Sequence, residues 1–85
     1  MIDDRLKAMR EVLLWEEKIA PGSIVIVRDG WDERCFRMRY LRIGDKVILK
    51  EEPNEAWPDR RKGVQAIVPT PALHYYVPQG GTNEE

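Results

Sequence analysis

The sequence predicts an α+β domain: an N-terminal helix followed by a small five-stranded, mainly antiparallel curled sheet or partly open barrel. Three observations lead there. Ile24-Val25-Ile26-Val27, Phe36-Arg37-Met38-Arg39-Tyr40 and Val47-Ile48-Leu49 are strand-like runs, and Asp29-Gly30 and Gly44-Asp45 punctuate them as the turns of a meander would. Residues 3–19 carry apolar side chains at helical spacing. The chain has 85 residues and one cysteine, so it makes one domain without a disulfide, and its sheet needs a covering element or a partner subunit.

The helix is expected over 3–19. Asp3 or Asp4 caps it, and Ile2, Leu6, Met9, Val12, Leu13 and Ile19 form a broad apolar stripe with Arg5 and Glu16 at its margin. Pro21-Gly22 stops it. The first strand, 23–28, holds four consecutive β-branched residues, a pattern that suits burial on both faces.

The next connection fits a two-residue or a four-residue loop. Four residues place Arg28 opposite Glu33, Ile26 opposite Cys35 and Val25 opposite Phe36. Two place Ile26 against Glu33 and Val25 against Arg34, so the longer loop is preferred for its compatible partners. Gly44-Asp45 fits a two-residue turn with glycine at its first central position. That turn pairs Tyr40 with Leu49, Leu41 with Ile48 and Arg39 with Lys50. Phe36, Met38, Tyr40, Val47 and Leu49 then share a core face. Arg37, Arg39 and Lys50 lie on the other face, with Leu41 and Ile48 towards its far end.

Residues 52–63 read as a loop broken by Pro53, Asn54, Pro58 and Gly63, long enough to carry function. A fourth strand spans 64–68, and Pro69-Thr70-Pro71 ends it. The fifth, 72–77, is assigned to a sheet edge because prolines flank it. Residues 1–77 thus form the domain, and 78–85 form a polar tail expected to be disordered.

Composition removes several function classes. A formal net charge of −1 gives no polyelectrolyte argument for nucleic acid, although positive charge gathers in residues 21–50. One cysteine and one histidine leave no zinc-ligand set, and neither a metal nor a cofactor is expected. No apolar run has transmembrane length, and charges interrupt the N-terminus where a signal peptide would be apolar. The lone thiol agrees with a cytoplasmic setting.

Two stretches resemble the C-terminal domain of the LexA and phage-repressor family. They are Pro21-Gly22-Ser23-Ile24-Val25-Ile26-Val27, and Arg37 through Asp59 with Gly44-Asp45-Lys46-Val47-Ile48-Leu49, Glu51-Glu52-Pro53-Asn54 and Trp57-Pro58. The resemblance covers under half the chain and implies a prokaryotic or phage-like β scaffold that dimerises. It does not carry the catalytic pair. Ser23 lacks the methionine context of the family's nucleophile, and the family's general-base lysine would fall near Met38. The resemblance therefore implies a non-cleaving relative.

The candidate anion or nucleic-acid site is Arg37, Arg39 and Lys50, with Arg34 or Arg42 nearby and Trp31 and Tyr75 as stacking platforms. The plainer account is a solvated strand face whose basic side chains oppose aggregation. Arg60, Arg61 and Lys62 form a second basic candidate, partly neutralised by Glu55 and Asp59. Trp31 and Trp57 are candidate partner anchors, or caps on the end of a small barrel. Cys35 and His74 show no local catalytic context and read as packing and strand positions. The expected function is a non-enzymatic binding module whose partner is nucleic acid or protein. The alternative is a protein-interaction or homodimerisation domain.

Overall fold

A computed structural model describes residues 4–31, 34–58, 64–68 and 70–79, with the backbone alone for 64–67. A 3-10 turn, Asp4–Ala8, leads into β1 (Met9–Val12). There follow β2 (Ile24–Asp29), β3 (Cys35–Ile43), β4 (Lys46–Glu51), β5 (Val64–Ile67) and β6 (Leu73–Pro78). All six lie in one sheet of order β1-β6-β2-β3-β4-β5, and every pairing is antiparallel. Among the described residues β1 and β5 pair with no strand but β6 and β4 respectively, so the sheet is open.

The five expected strands are present, but the helix is not. Among the described residues the only helical element is the five-residue 3-10 turn. The expected stripe treated Leu13 as core, yet Leu13 is 59% exposed and Leu14 is 0% exposed. Consecutive large apolar residues fit a helical or a strand period equally well, and the sheet decides between them. As a strand, 9–12 gives β6 a hydrogen-bonded neighbour along its otherwise bare edge and turns Val12 inward with Leu14. A helix would have left that edge of β6 unpaired. The fifth expected strand, β6, is consequently interior, lying between β1 and β2. Its flanking prolines did not mark an edge: Pro78 is the terminal residue of the β1 pairing.

Pro21-Gly22 forms a tight turn into β2. Gly22 has φ +92° and the Ser23 amide donates to the Ala20 carbonyl, as in a type II turn with proline first. The β3–β4 hairpin has the expected register, with Tyr40 opposite Leu49, Leu41 opposite Ile48 and Arg39 opposite Lys50. Gly44, at φ +61°, occupies the first turn position. The β2–β3 hairpin differs from both expected loops. Arg28 faces Cys35, Val27 faces Phe36 and Val25 faces Met38. The hairpin closes where the Asp29 amide donates to the Arg34 carbonyl. This register is two residues from the expected one, and a shift of two keeps every side chain on its face.

Two apolar clusters result. Val25, Val27, Met38, Tyr40, Val47, Leu49, Tyr75 and Val77 fill one face of the sheet, joined by Val12 and Leu14 and flanked by Ile19, Phe36 and Leu73. On the other face Ile24, Ile26, Cys35 and Tyr76 are covered by Leu6 from the 3-10 turn and by Trp57 from the loop after β4. The four β-branched residues of β2 are therefore buried on both sides.

Candidate functional site

The basic strand face is tied to its own surroundings. The Arg39 guanidinium donates to both carboxylate oxygens of Glu52, at 3.3 and 3.0 Å, and to the Gly22 carbonyl at 2.7 Å. Arg37 donates to the Glu52 carbonyl at 2.9 Å, and the Glu52 amide donates back to the Arg37 carbonyl. The hydrogen bond from Arg39 holds the Glu52 carboxyl below its ordinary range against the opposing effect of burial. The charges of Arg39, Arg37 and Lys50 add to the lowering. Arg37 and Arg39 thus anchor the chain after β4 and the turn before β2.

Lys50 is exposed. Arg42 donates to the Tyr40 hydroxyl at 3.2 Å and sits over the Trp15 ring at 5.4 Å. Arg34 is exposed. Arg60, Arg61 and Lys62 lie outside the described residues. Tyr75 is buried and offers no stacking platform.

The two candidate anchors separate. Trp57 is 8% exposed, with the Arg5 guanidinium 3.9 Å from its ring centroid, so it packs inside the protein. Its amide bonds both the carbonyl and the side-chain oxygen of Asn54, the tight turn that folds it back onto the sheet. Trp31 is 87% exposed at the β2–β3 connection, its amide fixed to the Asp29 carboxylate at 2.9 Å.

Cys35, Arg28 and His74 form a row across β3, β2 and β6. With strands ~4.8 Å apart, the thiol and the imidazole stand roughly 10 Å from each other with Arg28 between. That is too far for a nucleophile–base pair. His74 Nδ1 instead meets Glu11 Oε2 at 2.7 Å. Ser23 is buried and donates to the Ala20 carbonyl at 2.7 Å, and Met38 is fully buried, so neither occupies a reactive position.

The exposed apolar surface lies elsewhere. Leu13, Trp15, Glu11, Leu73 and Tyr75 line a groove of about 380 Å³. Gly30, Trp31 and Ala72 line an adjoining depression of about 560 Å³. The two share Thr70, Pro71 and His74, so they form one continuous surface. Trp15 is 43% exposed. Leu13-Leu14-Trp15 is a run of three large apolar residues that follows β1 into a turn, where the Glu16 and Glu17 amides donate to the Leu13 carbonyl. Leu14 is buried and its two neighbours are exposed, which spacing alone does not reveal.

Among the described residues no group of three metal-ligating side chains gathers, and no helix is long and apolar enough to cross a membrane. Comparison of the chain with protein-family models, with curated proteins and with solved structures returns no match.

Proposed function

We propose that this chain is a non-enzymatic protein-interaction domain that receives its partner on the apolar surface around Leu13, Trp15, Trp31 and Pro71. One observation carries the reading: three large apolar side chains, Leu13, Trp15 and Trp31, are exposed around two connected depressions. Scattered surface leucines need no explanation. A contiguous set with two tryptophans around a groove is the composition of an interface centre. The same reading takes the sheet as a small, partly open barrel, with the Val25–Met38–Leu49 face as its interior. A repressor-like scaffold without catalysis fits it as well.

Nucleic-acid binding has less support. Arg37 and Arg39 direct their donors to Glu52 and Gly22, which leaves Lys50 as the exposed member of the expected trio.

The reading is tested with a displayed library of random peptides selected on the folded chain, with Leu13→Asp as the counter-target. Leu13 is exposed, so the variant should fold. Clones retained by the parent chain and lost by the variant are expected. Trp15→Ala should weaken them by about 2 kcal/mol or more if Trp15 is a central anchor. Selected clones that all bind Leu13→Asp as well as the parent would remove the proposal.

A further inference from the structure

The groove beside β1 also carries a sign of charge and a direction. Two carboxylates, Glu11 and Glu16, line it together with His74; among the described residues no lysine or arginine lines it, although Arg42 sits over the Trp15 ring. Glu11 remains about half exposed even with His74 against it. The β1 pairing ends at Val12 opposite Tyr75, whereas β6 continues to Leu73. Leu73 and His74 therefore have a strand neighbour, β2, on one side only among the described residues. Leu13 and Trp15 stand beside that gap, and Pro71 lies beyond it.

We infer that this groove takes an extended segment of another protein that carries a lysine or arginine next to an apolar side chain. The inference rests on the protein-interaction reading above. The apolar side chain would pack against Leu13, Trp15 and Pro71. The cation would lie against Glu11 and Glu16. The segment would lie across Leu73 and His74 where β1 leaves them; the Leu73 amide already donates to the Thr70 carbonyl, so side chains carry the contact. A second copy of this chain is a poorer occupant of the same groove. A symmetric contact places the same surface on both sides, and among the described lining residues only His74, already held by Glu11, could meet the two carboxylates of a second copy.

The test uses the peptides selected above on the whole chain, with affinities followed by fluorescence anisotropy. Peptides that depend on Leu13 should contain lysine or arginine beside an apolar residue and should bind more weakly as salt is added. Replacing Glu16→Lys should weaken them roughly fivefold or more, and should restore binding to a peptide whose basic residue has been changed to glutamate. Glu11→Gln, which keeps an oxygen for His74, should weaken them by a smaller factor.

Leu13-dependent peptides that lack basic residues, or that ignore both glutamate substitutions, overturn this inference and leave the protein-interaction reading standing. Peptides indifferent to Leu13 overturn both. A concentration-dependent dimer in light scattering, abolished by Leu13→Asp, overturns it in favour of a second copy.

Discussion

Arg39 joins three parts of the chain at once. Its side chain lies on β3, its guanidinium grips the Glu52 carboxylate just past β4, and its third bond reaches the Gly22 carbonyl ahead of β2. A planar fork that meets a carboxylate with two bonds is a task for arginine and not for lysine. Both side chains retain partial solvent exposure, so the pair is worth less than a buried one. Arg39→Met should cost about 1–2 kcal/mol in chemical denaturation. The depressed Glu52 carboxyl adds a pH signature. A carboxyl held lower in the folded state than in the unfolded chain stabilises the fold fully above its ordinary value of 4.5 and loses that contribution as pH falls through its folded value. Denaturation midpoints measured from neutral pH downward should therefore drop more steeply for the parent chain than for Glu52→Gln. Identical slopes would mean that the carboxylate is not held by Arg39 in solution. Sequence spacing placed Arg39 opposite Lys50 on a basic face. The same register runs on to Glu52 opposite Arg37, diagonal to Arg39, but it could not place Gly22 within reach of the guanidinium, because Gly22 lies outside that hairpin.

At the scale of elements, the segment from Asp4 to Leu14 carries the largest difference between local pattern and structure. Its apolar residues satisfy a helical spacing through Leu6, Met9 and Leu13, and a strand spacing through Val12 and Leu14. Helix propensity is a weak prior that a neighbouring strand overrides, and β6 supplies that neighbour. The two arrangements bury different leucines, so truncation separates them. Leu14→Ala should destabilise the domain by about 2–5 kcal/mol, and Leu13→Ala by no more than about half a kcal/mol. A reversed order would mean that the segment is helical in solution. The same choice creates the groove, because β1 ends at Val12 and the turn that follows, closed by the Glu16 and Glu17 amides on the Leu13 carbonyl, buries Leu14 and leaves Leu13 and Trp15 exposed. The β3–β4 hairpin is the contrary case. Gly44-Asp45 is a turn whose chemistry fixes register locally, and its pairing was legible without any knowledge of the rest of the chain. The β2–β3 connection carries the Asp29-Gly30 signal, yet the hairpin closes outside it, between Asp29 and Arg34, and its register lies two residues from the expected one.

For the whole molecule, strand order sets which parts open first. Among the described residues β6, β2, β3 and β4 each have a hydrogen-bonded strand on both sides, and β1 and β5 have one. Amide exchange should be slowest in β2, β3 and β6, whose side chains also fill the two clusters, and faster in β1 and β5. Exchange in β6 as fast as in β1 would contradict its interior place. The sequence by itself determined the five strands from β2 onward, the two-sided burial of Ile24 to Val27, the β3–β4 register and the core face of Met38, Tyr40 and Leu49. Each of these follows from a period of two and from turn residues that act over a few positions. Tertiary structure alone decided that the N-terminal segment is a strand, that β6 is interior, that Trp57 packs inward while Trp31 stays outside, and that Arg39 reaches the Gly22 carbonyl. Those outcomes depend on hydrogen bonds and burial between segments far apart in the chain. A pattern read a few residues at a time carries no term for them.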